Sequence, residues 1–202
     1  MTMQVKYKLG EREANGLCRV IALMAFSDIA IGDVGGYIEH ERNLGHTGDA
    51  WVYGNARVSE DAQVSGNAQV YGNAQVSGNA QVSGNAQVYW NAQVYGNARV
   101  YGNAQVYGDA QVYGDAQVAG NAQVYGNAQV SAVCTATPKV ITGLLYTITM
   151  TDEHLRTGCQ VHTFQEWRNK TEREVLAMGG KAALVFYKET LIPLMDVLKL
   201  GV

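Results

Sequence analysis

Hydrophobic and polar positions alternate with a period of six residues through the middle of the chain, from Ala50 to Val130. The repeating unit is Gly-Asn-Ala-Gln-Val-Tyr or a close variant, and its valine recurs fourteen times without exception. A helix would spread these valines around its circumference because it turns every 3.6 residues, whereas a strand places alternate residues on one side. The pattern therefore predicts short strands with inward Ala and Val, outward Gln, and a turn at each Gly-Asn.

A strand with a single inward Ala-Val pair cannot bury that pair alone, so successive hexads are expected to wind around a shared axis as a parallel β-solenoid. The spacing resembles that of the hexapeptide-repeat left-handed β-helix, in which three hexads close one triangular coil. The left-handed sense is implied by this resemblance and not by the spacing. Fourteen hexads correspond to about four and two-thirds coils and a height of about 22 Å.

With three hexads in a coil, residues eighteen apart should lie directly above one another. At the position after valine, every eighteenth residue is a tyrosine: Tyr53, Tyr71, Tyr89, Tyr107 and Tyr125. Stacking of these rings, which we call the tyrosine row, and of the turn asparagines is expected to stabilise the coil. The tyrosine row is also the predicted ligand-binding surface, because aromatic rings provide a large contact area at low entropic cost.

The flanks of the repeat carry most of the charged residues and mark the predicted domain boundaries. Residues 1–49 are expected to form a small β-rich N-terminal cap, residues 50–131 the parallel β-helix, and residues 132–202 a C-terminal hairpin plus helices. Caps are needed because an open solenoid end exposes unpaired strand edges. The predicted fold class is an all-β solenoid with a β-rich N-terminal cap and an α+β C-terminal domain.

Turn and helix signals refine the two flanks. Residues 32–36, which include three glycines, are predicted to form a turn. Residues 140–151 are predicted to form one strand that pairs with residues 156–163. Two helix starts are predicted by capping boxes, namely Thr163 with Glu166 and Thr171 with Glu174. Gly179 and Gly180 should end the second of these helices, and Pro193 should interrupt the last helical segment.

Composition and charge exclude several classes of protein. The 202 residues are 47% hydrophobic and 16% charged, which is incompatible with a disordered chain. A net charge of −3 provides no field that attracts nucleic acid or an anionic membrane, so neither partner is expected. The chain lacks a long apolar run or a signal-peptide core, so a cytoplasmic location is expected. Three widely spaced cysteines predict free thiols, with no disulfide and no metal site.

The repeats also resemble those of hexapeptide acyltransferases, which act as trimers and commonly use a histidine base. Between Trp51 and Val130 this chain has neither His nor Lys, so no catalytic residue and no cofactor are predicted. The weak candidates that remain are His40 and His46 before the repeats and Cys159 and His162 after them. Cys159 and His162 are three residues apart on a predicted strand, so their side chains should face opposite sides.

Four segments are similar to those of phage and prophage hexapeptide-repeat proteins: Gly-Asp-Val-Gly-Gly-Tyr-Ile-Glu at residues 32–39, Asn43-Leu44, Trp-Val-Tyr-Gly-Asn-Ala-Arg at residues 51–57, and Gly-Cys-Gln-Val-His-Thr-Phe-Gln-Glu-Trp-Arg at residues 158–168. The resemblance covers nearly the whole chain and implies a phage product inside the host cell. The function we expect is non-enzymatic binding by a homo-oligomer, with a trimer favoured. Its ligand would be a host protein or a small nucleotide-like molecule, and binding would interfere with host machinery. An acetyl-CoA-dependent acyltransferase and a structural virion component remain open as alternatives.

Overall fold

The computed structural model describes residues 5–201, which form two compact units that divide between Pro138 and Lys139. The first unit is entirely β in its regular elements, apart from one 3-10 turn at Glu41–Asn43 within the described residues. Its strands are β1 (Tyr7–Arg12), β2 (Cys18–Ala22), β3 (Val34–Ile38), β4 (Trp51–Val52), β5 (Arg57–Val58), β6 (Gln63–Val64), β7 (Gln69–Val70), β8 (Gln75–Val76), β9 (Gln81–Val82), β10 (Gln87–Val88), β11 (Gln93–Val94), β12 (Arg99–Val100), β13 (Gln105–Val106), β14 (Gln111–Val112), β15 (Gln117–Val118), β16 (Gln123–Val124), β17 (Gln129–Val130) and β18 (Val133–Cys134).

From β4 to β18 the chain is a solenoid of parallel sheets, as predicted. Strands β4 to β14 each pair with the strand eighteen residues later, so that Val70 lies beside Val88 and Val88 beside Val106, whereas β15 pairs with β18 at a spacing of sixteen residues. The three sheets contain β4-β7-β10-β13-β16, β5-β8-β11-β14-β17 and β6-β9-β12-β15-β18. Three hexads therefore make one coil, and the column has about five coils.

The interior of the solenoid is built from the valines and from the alanine two residues before each valine. All of these side chains are at most 1% exposed. Burial of one valine stabilises a fold by about 1.5–3 kcal/mol, and the repeat places this contribution in every hexad. The turns are closed by glycines such as Gly84, which has φ +68 and whose Cβ, if present, would lie 3.0 Å from Gly102 N. Turn geometry and the distance between coils thus both favour glycine at this position.

The N-terminal region extends one sheet of the solenoid. Strands β1, β2 and β3 are antiparallel, and β3 pairs in parallel with β5 through Tyr37 and Arg57. The turn predicted over residues 32–36 is shorter than expected, because β3 already begins at Val34. Gly35 and Gly36 belong to the strand, and a Cβ at Gly35 would lie 2.5 Å from Val52 O. These glycines therefore let β3 approach the first coil closely.

Many hydrogen bonds between coils run from the N–H groups of one coil to the carbonyl oxygens of the next, as in Gln87 N to Ala104 O at 2.9 Å. Carbonyl oxygens of the first coil consequently need donors from outside the repeat. The N-terminal region supplies backbone donors, such as Tyr37 N to Ala56 O, and side-chain donors. The side-chain bonds are Lys6 Nζ to Gly48 O (3.1 Å) and Ala50 O (2.7 Å), Asn43 Nδ2 to Glu60 O (2.9 Å) and Ala62 O (2.8 Å), and Arg19 Nη1 to Gly54 O (2.7 Å).

The second unit begins with a four-stranded antiparallel sheet in the order β19 (Lys139–Ile141), β20 (Ile148–Met150), β21 (His154–Thr157) and β22 (Gln160–Thr163). The prediction of one strand over residues 140–151 and one over residues 156–163 was therefore wrong. The first is interrupted around Gly143, with φ +82, and the second at Gly158, with φ +55. Both glycines adopt left-handed backbone angles that end a strand in a turn.

Helices α1 (Phe164–Arg168), α2 (Glu172–Phe186) and α3 (Ile192–Val197) follow, with a π-helical turn at Tyr187–Leu191. Both predicted capping boxes are present at the starts of α1 and α2. The backbone leaves helical geometry at Gly179 and Gly180, and Pro193 lies in the first turn of α3 after the π-helical turn. Within the described residues, no helix combines the length and apolar character needed to span a membrane.

The buried Lys6 ammonium makes stability depend on pH. Lys6 is only 1% exposed, and its Nζ lies 4.6 Å from the centre of the Phe26 ring. Desolvation lowers its pKa from 10.5 to about 8, although the nearby Asp49 carboxylate partly opposes this shift. Burial acts in the opposite sense on Tyr7, because it raises the pKa of the phenol above its usual value of 10.

We expect the free energy of unfolding to rise between about pH 8 and pH 10, because the unfolded chain then binds more protons at Lys6 than the folded chain. The rise should be at most about 3 kcal/mol. Above about pH 10 stability should fall, because the folded chain keeps the Tyr7 proton that the unfolded chain loses. Thermal unfolding of the wild type and of Lys6→Met over this pH range measures the effect. Curves with the same slope between about pH 8 and pH 10 would contradict the assignment to Lys6.

Candidate binding surface on the solenoid

The tyrosine row is a stack of rings along one side of the column. Tyr71 and Tyr89 lie 4.8 Å apart between ring centroids with an interplanar angle of 2°, and Tyr89 and Tyr107 lie 4.8 Å apart at 8°. Tyr125 continues the stack at 5.5 Å from Tyr107, whereas Tyr53 meets Tyr71 edge-on at 6.3 Å. The eighteen-residue coil thus brings together the five predicted ligand-binding residues in one continuous surface.

Stacking determines which parts of the tyrosines remain available. Ring faces within the row contact one another, while the rings are only partly buried and leave edges and hydroxyls accessible. Desolvation raises the pKa of Tyr71 and of Tyr89, so both phenols are neutral at physiological pH. At the lower end of the row, Tyr53 donates its hydroxyl hydrogen to Asp28 Oδ1 at 3.1 Å, which connects the row to the N-terminal region.

Trp90 adds an exposed indole beside the row. It occupies a turn position that is glycine in all but one of the other hexads, with φ 61, and it is 59% exposed. Its ring packs edge-on against Tyr89 at 5.5 Å and Tyr107 at 5.7 Å. The other exception is Glu60, whose carboxylate accepts a hydrogen bond from Gly78 N at 2.9 Å and so has a structural role. We call the tyrosine row together with Trp90 the aromatic corner.

Side-chain amides run parallel to the aromatic corner on both sides. Asn73 Nδ2 donates to Asn91 Oδ1 at 3.4 Å, and Asn91 Nδ2 donates to Asp109 Oδ1 at 3.0 Å, as expected for stacked turn residues. On the strand side, Gln87 Nε2 donates to Gln69 Oε1 at 3.4 Å. The sequence contains no charged residue from position 62 to position 98. The aromatic corner is therefore flanked mainly by amides, and its turn row contains one charged residue, Asp109.

Trp90 was not among the residues predicted from the sequence to bind a ligand. The signal was present, since Trp90 replaces glycine at a position where the backbone requires a left-handed conformation. The tyrosines recur at intervals of eighteen residues, whereas Trp90 occurs once and has no period.

The candidate catalytic residues of the first unit are engaged in local structure. His46 stacks on Tyr7 at 4.4 Å, its Nδ1 accepts from Lys6 N at 3.2 Å, and its Nε2 lies 3.0 Å from Glu41 Oε1. His40 precedes the 3-10 turn, and its Nε2 lies 3.4 Å from Glu39 Oε1. Both imidazoles thus contact the N-terminal region that covers the first coil.

The two candidate catalytic residues of the second unit, Cys159 and His162, lie in different local environments. Cys159 is exposed in the turn between β21 and β22, whereas His162 lies on β22 opposite Leu155 and packs edge-on against Trp167 at 4.9 Å. Desolvation, reinforced by Lys170, lowers the pKa of His162, which favours a neutral imidazole. Among residues 5–201, no group of three or more His, Cys, Asp or Glu side chains has the arrangement of a metal site.

Comparison with known families identifies the repeat. A family model described as YdcK Beta solenoid repeat matches residues 50–66, 62–78, 68–84, 74–89, 92–108, 104–120 and 110–126. The series of matches is interrupted at residues 90–91, where Trp90 replaces the turn glycine. No curated protein matches the chain. The chain is thus a β-solenoid repeat protein whose central hexads are similar to the YdcK beta solenoid repeat.

Proposed function

We propose that this protein is a non-enzymatic binding protein and that its aromatic corner binds a protein partner. The observation that carries this proposal is Trp90. An exposed indole on a left-handed turn is unfavourable to the backbone, and glycine at the equivalent turns avoids that penalty. Tryptophan and tyrosine are also the side chains that most often dominate binding energy at protein interfaces.

A protein surface suits the aromatic corner better than a nucleotide base. A base inserted between two rings needs about 7 Å, twice the usual contact distance between carbon atoms, whereas the central tyrosines lie 4.8 Å apart. The row instead offers ring edges, hydroxyls and one indole over five coils, a length of about 19 Å. Such an extended surface favours a macromolecular partner.

The low charge of the surface indicates how it would bind. Because Asp109 is the one charged residue in the turn row beside the tyrosines, affinity would come mainly from apolar contact and hydrogen bonds. Screening by salt acts on charges, so binding through this surface should change little with ionic strength. Nucleic acid binding would instead weaken strongly as salt increases.

The phage or prophage origin and the host location belong to the same proposal. They are supported by the resemblance of residues 32–39 and 158–168 to phage and prophage repeat proteins. On this basis the partner is a host protein that is sequestered in the cytoplasm of the infected cell, with interference in host machinery as the result. We propose a homo-oligomer, with a trimer favoured, as the active form.

Replacement of Trp90 by glycine should leave the fold intact. The loss of two edge contacts to Tyr89 and Tyr107 is offset by relief of the left-handed tryptophan backbone, so we expect a change in unfolding free energy of at most about 1 kcal/mol. Trp51, which is 1% exposed, provides the contrast, because Trp51→Ala should cost about 3–5 kcal/mol. Chemical denaturation of both variants measures the difference. A loss above about 2 kcal/mol in Trp90→Gly would show that the indole is required for folding.

The same variant tests the binding proposal. Proteins captured from a bacterial lysate by the tagged wild type should be absent with Trp90→Gly and retained with Tyr101→Ser. Tyr101 is a matched control because it is 38% exposed on another row, where Ser65 and Ser83 occupy the equivalent positions. Calorimetry with the purified partner should show at least a roughly 30-fold loss of affinity for Trp90→Gly.

Three results would contradict the proposal. The partner binds Trp90→Gly and the wild type equally, or affinity falls steeply with salt as for nucleic acid, or the protein turns over acetyl-CoA with a loss of activity in His40→Ala, His46→Ala or His162→Ala. Native mass spectrometry of the wild type reports the number of subunits in the same samples.

A further inference from the structure

The second unit contains an apolar cavity of about 70 Å³. Aromatic and aliphatic side chains provide most of its lining: Tyr146, Trp167, Val175, Met178, Phe186 and Leu191. The cavity reaches the surface, since the exposed Cys159 also lines it. A pocket that is mostly apolar and carries few polar groups is typical of small-molecule sites.

One polar atom in this lining has no partner. Thr157 is 7% exposed, and its Oγ1 is buried without a hydrogen bond. Thr157 lies on β21 opposite Gln160, at the end of the strand next to the turn that contains Cys159. A buried hydroxyl without a partner is unfavourable, and native folds rarely keep one without a reason. A ligand with one hydrogen-bonding group would satisfy it.

The break in α2 contributes to the space. Gly179 lines the cavity, and the backbone there is not helical, with φ 68 at the following Gly180. A Cβ at Gly179 would lie 3.0 Å from Ala183 Cβ and 3.5 Å from the Tyr146 hydroxyl oxygen. A larger residue would therefore project toward Tyr146, another residue of the lining, and the glycine keeps that space open.

We infer that this cavity binds a small uncharged molecule with one hydroxyl group and an apolar part no larger than a single six-membered ring. The hydroxyl of the ligand pairs with Thr157 Oγ1, and the apolar part lies among the aromatic side chains. The volume limits the size: an apolar cavity of about 150 Å³ holds benzene, so one of about 70 Å³ encloses only part of such a ring. A ring in the smaller cavity here extends partly toward the opening at Cys159.

Phenol and toluene are the matched probes, because they have nearly the same shape and differ in the hydroxyl. Titration into the isotope-labelled full-length protein, followed through the amide signals of Gly158 and Gly179, should show saturable binding of both. Wild type should prefer phenol by about 3- to 10-fold, the usual effect of one hydrogen bond. Thr157→Val should bind both equally, and Thr157→Ser should keep the preference.

Thr157→Val should fold at least as well as the wild type, because it removes an unpaired buried hydroxyl. If it does not fold, Thr157→Ser together with Met178→Trp, which fills the cavity and should abolish binding of both probes, completes the test. The inference is overturned if neither probe saturates the protein or if the phenol preference is unchanged in Thr157→Val. Trp90→Gly should bind phenol like the wild type, so failure here is distinguishable from failure of the proposed protein-binding function.

Discussion

The hydrogen-bond ladder between coils is the constraint on which the solenoid depends. Because a strand pairs with the strand of the next coil in a register of eighteen residues, equivalent residues come to lie above one another in every row. Buried valines and alanines fill the interior only in this register. The same register creates the stacks of tyrosine, glutamine and asparagine on the outside. Core, turns and outer surface are therefore consequences of one repeat length.

The regular hexads contain few reactive side chains. The residues that point to function are therefore those that differ from the repeat. Glu60 replaces a turn glycine, and its carboxylate accepts a hydrogen bond from Gly78 N. Trp90 also replaces a turn glycine, but its indole is exposed to solvent. Trp90 packs against two of the stacked tyrosines, Tyr89 and Tyr107, and so gives the row a distinct centre. In the second unit, the Thr157 hydroxyl is distinctive because it is buried without a hydrogen bond in a residue that lines the cavity.

The fold of the repeat was predictable because its signal recurs in every hexad. The valine period indicated strands, and the resemblance to the hexapeptide-repeat β-helix implied three hexads per coil; both are confirmed by the pairing of Val70 with Val88. Capping boxes at Thr163 and Thr171 were predictable for a similar reason, since they depend only on local spacing. Where a single residue decides the outcome, prediction failed: Gly143 and Gly158 divided expected strands. The cavity beside Thr157 depends on how distant segments pack, and no local pattern contains that information.

The two ends of the column are also chemically different. At the first coil, carbonyl oxygens accept hydrogen bonds from the side chains of Lys6, Arg19 and Asn43, whereas at the last coil Gln123 N donates to Thr137 Oγ1. Neither set of terminal contacts depends on how many coils lie between the two ends of the column. In-frame duplication or loss of one whole coil in the gene would preserve both ends, so evolution is free to lengthen or shorten the column. A change by a single hexad would instead shift the following hexads by a third of a turn and divide the tyrosine row between two sides of the column.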